Sequence, residues 1–376
     1  MSSALVSMPA EWSKHQACII LYPHNKAVFR QDCLRARAEI EQVAMAIVHQ
    51  GDEDVVFFCR SNEDAVAVSR KFKEQRIHVL VCQSDDTWAR DTGPTFVIES
   101  KGKGVDTRIR GLDWQFNAYG GPESGSYWPC ELDKQIATTI CHSLSRMYDI
   151  PIHVQSVPMI LEGGSIHVDG EGTCLTTAEC LLNLNRNPQM TREQIEHTVL
   201  SALGCKKMLW LPLGVAFDDD TNGHIDNMAC FVKPSEIILS WTDDHKRDPE
   251  NYDRCRKARE YLEQQTDSLG RSLTIHKLFL PPPLHYNQDE VDSLTTNEET
   301  SERRVGERLA ASYVNFYIAN KAVIVPQFGV EPSDSNALAT LQKLFPSRKV
   351  VGVASREILL GGGNIHCMTQ QIPMIL

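Results

Sequence analysis

Apolar residues recur at helical spacing over 31–49, where Leu34, Ile40, Val43, Ala44, Ile47 and Val48 share one face. Short apolar runs then alternate with further helical stretches. DVVFF (54–58), a helix over 62–74, IHVLV (77–81) and TFVI (95–98) come first. A helix over 131–147 leads to IHVQS (152–156), SIHVD (165–169) and TCLTT (173–177). A helix over 192–203 leads to MLWL (208–211), NMACFV (227–232) and EIILSW (236–241). A helix over 251–264 leads to LTIHKLFL (273–280), SYVNFYI (312–318) and AVIVP (322–326), and a helix over 334–344 leads to KVVGV (349–353) and NIHCMT (364–369). Each strand is a short apolar run, as expected where both faces of a sheet are covered.

The order helix, strand, strand, strand therefore recurs five times, with the last unit one strand short. ACIILY (17–22) has no unit of its own and can supply the missing strand. A ring closed by its own termini would leave no exposed sheet edge. An ordinary α/β sheet with antiparallel extensions is the plainer alternative. One internal match favours repetition: LEGGSIHV (161–168) and LGGGNIHC (360–367) align without gaps. Leu, two glycines, Ile and His coincide, and Cys367 stands where Val168 stands.

Composition narrows the class. With 376 residues and 42% hydrophobic content the chain is globular. A single core rarely grows beyond about 250–300 residues, so either two domains or repeated units around one centre are expected. The net charge of −11, without a basic block, excludes a nucleic-acid surface and leaves a cationic substrate compatible. No apolar run reaches a membrane span, and MSSALVSMPAEW lacks a basic leader, so a cytoplasmic protein is expected. The 12 cysteines, with no C-x-x-C pair, read as free thiols and not as a zinc site.

Four segments carry candidate chemistry. WARDTGP (88–94) places Trp88 and Asp91 on a loop, where an Asp alone is commonly a turn cap. LEGGSIHVDG (161–170) offers Glu162, which needs a partner if drawn inside, and a His167-x-Asp169 pair too small for a metal site. DDDTNGHIDN (218–227) offers His224 and Asp226, which share a face if a strand begins there. LGGGNIHCMTQQ (360–371) offers Cys367, either a small core residue or a nucleophile. All four lie at the same stage of their units, so in a ring they converge on its axis. Asp91, Glu162, His224, Asp226 and Cys367 then form one site.

Such a set suits attack on a planar cationic carbon. A guanidinium presents its N–H groups in a rigid fork that carboxylates bind in pairs. Asp91 and Asp226 would hold it while Cys367 attacks its carbon. His224 would protonate the departing ammonia and activate water, and Glu162 would orient His224.

The same four segments resemble the agmatine deiminases (agmatine iminohydrolases) of the guanidine-modifying superfamily. GLDWQFNAYGG (111–121) and RLAASYVNFYIAN (308–320) extend the resemblance, especially to plant-type members, over nearly the whole chain. It implies an α/β fold: a five-bladed α/β-propeller (pentein) of ββαβ-type repeats, one domain over 1–376 closed by the strand near 17–22. It implies hydrolysis of agmatine to N-carbamoylputrescine and ammonia through an amidino-cysteine on Cys367, in putrescine and polyamine synthesis, without metal or organic cofactor. His224, Glu162, Asp226 and Asp91 take the family's remaining catalytic roles. The segment LYPHNKAVFRQDC (21–33) departs from the family pattern, with Tyr22 before Pro23.

No motif supplies a free arginine to clamp a substrate carboxylate, which favours agmatine over arginine. Asp220 is the expected partner of its ammonium, Trp88 and Trp114 are expected to wall its methylene chain, and Asn364 joins the binding set. The polar stretch 284–306 reads as an insertion more than as a cover. Agmatine is the one partner implied, with no nucleic acid or membrane, and a homodimer stays open. The rivals are an enzyme of free or peptidyl arginine, an amidinotransferase, a non-catalytic binding protein, and a metal protein using His167, Asp169, His224 and Asp226.

Overall fold

The computed structural model describes residues 5–73, 76–100, 107–295 and 300–374. Five separate sheets organise the described residues. Sheet I orders its strands Thr369–Pro373, His15–Leu21, Asp54–Cys59 and Ile77–Val81; sheet II orders Leu5–Ser7, Thr95–Ser100, Thr107–Gln115 and Ile152–Ile160. Sheet III contains Ile166–Val168, Thr173–Thr177 and Lys207–Leu211, and sheet IV contains Ala229–Lys233, Glu236–Trp241 and Thr274–Phe279. Sheet V contains Tyr317–Ile318, Ala322–Gln327 and Lys349–Ala354.

One plan underlies all five. An antiparallel pair is followed by a helix, and the chain returns as a strand parallel to the second. The crossing helices are Leu34–His49, Ile136–Tyr148, Arg192–Leu203, Pro249–Glu263 and Ser333–Leu344. A parallel return needs such a crossover. In sheet I the antiparallel partner comes from the other end of the chain, with Thr369 opposite Ile20 and Gln371 opposite Cys18.

The helix Arg192–Leu203 shows how local sequence sets these elements. Thr191 accepts from the Gln194 amide, and the Gln194 side chain returns to the Thr191 N–H, closing a capping box. Gly204 ends the helix at φ 69°, and a Cβ there would lie 1.8 Å from the Val6 carbonyl oxygen, so the strand Leu5–Ser7 can pack only against a glycine. Strand alternation divides the core. Cys18, Ile20, Val55 and Phe57 face the helix Leu34–His49, while Ala17, Ile19, Leu21, Val56 and Phe58 face Ile136, Ile140 and Leu144 of the next unit. Both faces are dry, which explains the short apolar runs.

Three expectations need correction. The strand Thr107–Gln115 was not expected, because its two arginines and Asp113 interrupt the apolar signal. His224 and Asp226 do not lie on a strand: His224 caps a helical turn, Ile225–Met228, ahead of the strand. Likewise 364–369 is mostly the turn Ile365–Met368, and only then the strand Thr369–Pro373. Among the described residues no helix is long and apolar enough to cross a membrane. All twelve cysteines are unpaired, and eleven are buried.

Candidate active site

The functional candidates sit on the lead-in to the first strand of each sheet. Asp91 is on the turn Ala89–Thr92 before sheet II, and Glu162 abuts the turn Gly163–Ser165 before sheet III. His224 and Asp226 precede sheet IV, and Cys367 precedes the C-terminal strand of sheet I. The same place before sheet V holds Asn315, which the sequence reading did not single out although it lies within SYVNFYI. Its Nδ2 lies 3.2 Å from the Cys367 Sγ, and its Oδ1 accepts from the His366 amide at 2.9 Å.

These lead-ins meet. The Cys367 thiol lies 3.5 Å from Asp226 Oδ2. His224 Nδ1 is 4.0 Å from Asp91 Oδ1, and its Nε2 is 3.9 Å from Glu162 Oε2. Gly164 lies at the focus: its N–H donates to Asp91 Oδ1 at 2.8 Å. A Cβ on it would come within 2.6 Å of His224 Nδ1, 2.9 Å of Asp226 Oδ2 and 3.0 Å of Asp91 Oδ1. Its aligned counterpart, Gly363, serves the other side, where a Cβ would lie 2.6 Å from the Trp88 ring and 3.1 Å from Cys367 Sγ. Both glycines are present because side chains from several sheets approach the backbone there.

A cavity opens onto this cluster, lined among others by Asp86, Trp88, Asp91, Asp220, Arg303 and Cys367. Glu162, His224 and Asp226 stand directly behind it, fully buried. Asn364 caps the Cys367 turn through its own Oδ1 and does not line the cavity. Trp114 lies elsewhere, in the core with Met8, Val97 and Leu112, and its indole donates to Thr95. Its expected place along the substrate is therefore withdrawn, since its strand faces inward at that position. Asp220 lines the cavity but is paired with Arg303 at 2.9 Å. Arg303 belongs to the stretch read as an insertion, of which 296–299 lie outside the described residues. Thr300, Ser301 and Arg303 form a wall of the cavity.

The charges explain one another. Glu162 Oε1 accepts from Arg186 at 2.7 Å, so burial, which disfavours the carboxylate, is overcome by Arg186 and His224, and the group falls to about 2. Burial also opposes charge on His224, but Asp91, Cys180 and Glu162 outweigh it and raise its pKa well above the usual value. Burial and the neighbouring Asp226 and Glu162 push Asp91 up, against the pull of His224 and Gly164. Burial, Asp226 and Asp91 together hold the Cys367 thiol far above the ordinary range. Asp86 is raised by burial and by Asp133, against the hydrogen bonds from Trp88 and Thr87 and the charge of Arg303. Arg90 does not pair with Asp91; it reaches Glu11 at 3.3 Å.

Glu162, Cys180 and His224 offer ligand atoms within 4.8 Å of one another, the metal-like group the geometry forms. Arg186 already places a cation on Glu162, which disfavours a second one. His167 and Asp169 have separate structural partners, the Phe231 amide and the Glu171 and Thr173 amides.

Residues 7–373 match the model of the Porphyromonas-type peptidyl-arginine deiminases. The chain belongs to this family. Curated relatives of the chain are agmatine deiminases: that of Medicago truncatula is 44% identical over 98% of this chain and 96% of its own, and that of Pseudomonas aeruginosa is 44% identical over 97% and 95%. A solved agmatine deiminase of Enterococcus faecalis superposes with a TM-score of 0.89 at 36% identity, covering 98% of this chain and 96% of that one. A solved C. jejuni agmatine deiminase with substrate bound gives 0.80 at 27% identity, covering 100% and 98%. The chain is thus an enzyme of the deiminase type with the α/β fold of these structures.

Proposed function

We propose that this enzyme hydrolyses agmatine to N-carbamoylputrescine and ammonia through an amidino intermediate on Cys367. The observation that carries this reading is a buried thiol on the wall of a cavity lined by the carboxylates Asp86, Asp91 and Asp220, with Asp226 behind it. Asp226 Oδ1, His224 Nδ1 and Nε2, and Glu162 Oε2 are buried without a hydrogen-bond partner among the described residues. Buried polar atoms left unpaired are costly, so the free acceptor Asp226 Oδ1 calls for a ligand that donates, while the cationic His224 offers donors of its own. A guanidinium has five donors.

In this reading Asp91 and Asp226 hold the guanidinium and orient its carbon toward Cys367 Sγ. The arriving cation offsets the negative surroundings that keep the thiol protonated. As the C–S bond forms, the Cys367 proton passes to the guanidinium nitrogen that is to depart. His224, cationic beside Asp91 and Glu162, supplies a second proton as the C–N bond breaks, and that nitrogen leaves as ammonium. His224 then takes a proton from the incoming water. The C–S bond breaks, the thiol is restored, and a urea departs. Asp86, which unlike Asp220 makes no contact ion pair among the described residues although Arg303 acts on it from further away, takes the substrate ammonium, with Trp88 beside the methylene chain.

The same reading makes the five sheets blades of one α/β propeller over 1–376, closed where the N-terminal and C-terminal strands pair, and places the enzyme in cytoplasmic polyamine synthesis. Arg303 supports a second substrate reading, since it could receive the carboxylate of arginine if it left Asp220. The test is release of ammonia and ureido product from agmatine, arginine and a blocked arginyl peptide, with wild type and Cys367→Ala. Turnover of agmatine alone, lost in the variant, is expected. Turnover of arginine would move the distal role to Arg303, and an active Cys367→Ala within about tenfold of wild type would overturn the covalent route.

A further inference from the structure

The two aligned segments contribute one histidine each, His167 and His366, and both turn toward a single carboxylate. Glu11, in the segment after the strand Leu5–Ser7, is buried and lies between them. His366 Nε2 is 2.8 Å from Glu11 Oε1, and His167 Nε2 is 3.5 Å from Glu11 Oε2. The two rings stand 6.5 Å apart. They are not equivalent. His167 Nδ1 accepts from the Phe231 amide at 3.3 Å, so that nitrogen carries no proton and the ring is neutral. His366 instead meets a second carboxylate: its Nδ1 is 2.9 Å from Asp226 Oδ2.

A neutral imidazole has one N–H and cannot donate to two carboxylates. Glu11 also faces Arg90 Nη1 at 3.3 Å, which keeps it ionised. We propose that His366 is an imidazolium clamped between Glu11 and Asp226, and that it is a positioning residue holding Asp226 as a carboxylate with Oδ1 free for the substrate guanidinium. The inference rests on the agmatine reading for its substrate, but not for its protonation state.

The surroundings agree. Asp226 Oδ2 is engaged by His366 and faces the Cys367 thiol at 3.5 Å, while Oδ1 has no partner among the described residues. The groups facing the pair are Glu11, Arg90 and His167 on one side, with the Cys230 thiol beyond Glu11, and His224, Asp91 and Cys367 on the other. Burial disfavours the charge on His366, as does Arg90, but Glu11 and Asp226 outweigh both and raise its pKa. Burial likewise pushes Asp226 up, and the His366 hydrogen bond and charge bring it below its usual value. Without that cation, only His224 and Arg90 would stand against burial and the nearby Asp91, and Asp226 would take up a proton at higher pH. Protonated Asp226 would lose half of the paired grip on a guanidinium.

Two measurements test this. Neutron diffraction from perdeuterated wild-type crystals at neutral pH shows the ring deuterons of His366 directly; deuterium on both nitrogens is expected. A single deuteron, with one on Asp226 instead, would overturn the imidazolium whatever the enzyme's substrate proves to be. The second is the pH profile of agmatine kcat/KM for His366→Gln and Glu11→Gln. Gln at 366 keeps an amide donor but not the charge. The acidic limb is expected to move up by about one pH unit in His366→Gln and by less in Glu11→Gln. A merely structural role would lower the melting temperature and leave the limb in place, and coincident limbs in folded variants would refute the positioning role. If His366→Gln does not fold, Glu11→Gln decides; if neither folds, the neutron result decides. Wild type inactive on agmatine would fail the function reading alone.

Discussion

Gly164→Ala offers the sharpest test of the assembled site, because one methyl meets three of its groups. The new Cβ would stand 2.6 Å from His224 Nδ1, 2.9 Å from Asp226 Oδ2 and 3.0 Å from Asp91 Oδ1, where ordinary contact begins at 3.4 Å. All three are buried, so each must recede by roughly half an ångström or the turn Gly163–Ser165 must shift against sheet III. Displacement on that scale in residues that orient a substrate costs about a hundredfold in rate, equivalent to about 2.7 kcal/mol. Overpacking alone costs about 1–3 kcal/mol of stability. Gly111→Ala is the matched control: its Cβ would lie 2.3 Å from Cys141 Sγ, in the core away from the site. Agmatine kcat/KM and thermal unfolding are measured for both. Both variants should lose stability, and only Gly164→Ala should lose kcat/KM beyond its folded fraction. A folded Gly164→Ala within about threefold of wild type would show that the three groups do not need their observed placement.

Three further outcomes are expected. Alkylation of Cys367 by iodoacetamide should be slow at pH 7 and still rising above pH 9, because burial, Asp226 and Asp91 keep the resting thiol protonated; rapid inactivation at neutral pH would contradict this. Asp86→Asn should raise the KM for agmatine at least about tenfold while Trp114→Phe changes kcat/KM less than about threefold, and the reverse ranking would restore the wall role to Trp114. Glu162 falls from 4.5 to about 2 on folding, so it adds stability that is complete above pH 4.5 and fades as the pH drops toward 2. Acid unfolding of Glu162→Gln should therefore show a weaker pH dependence in that window, and identical slopes would argue against the shift.

Much of the architecture was legible in periodicity. The helices over 31–49 and 192–203 and strands such as Glu236–Trp241 show clear spacing because one face, or both, must be dry. The strand Thr107–Gln115 was hidden because Arg108, Arg110 and Asp113 interrupt it, and the polar partners that allow them, such as Gln155 for Arg110 and Thr138 for Asp113, come from distant segments. At the site, four motifs announced Asp91, Glu162, His224, Asp226 and Cys367 through glycines flanking polar residues. Asn315 was equally available as the fifth lead-in, inside a segment already singled out. Arg303 was not, because nothing local in 284–306 distinguishes one charged loop residue from another.

The sequence by itself determined most of the helices and strands, which stretches are buried and which side chains are candidates for chemistry, since these follow from local spacing and residue chemistry. Only the tertiary structure decided who neighbours whom: Arg303 on Asp220, Arg186 on Glu162, and Glu11 with Asp226 on His366. Ion pairs of that kind join residues far apart along the chain. Their strength depends on distance and burial, which no local pattern encodes.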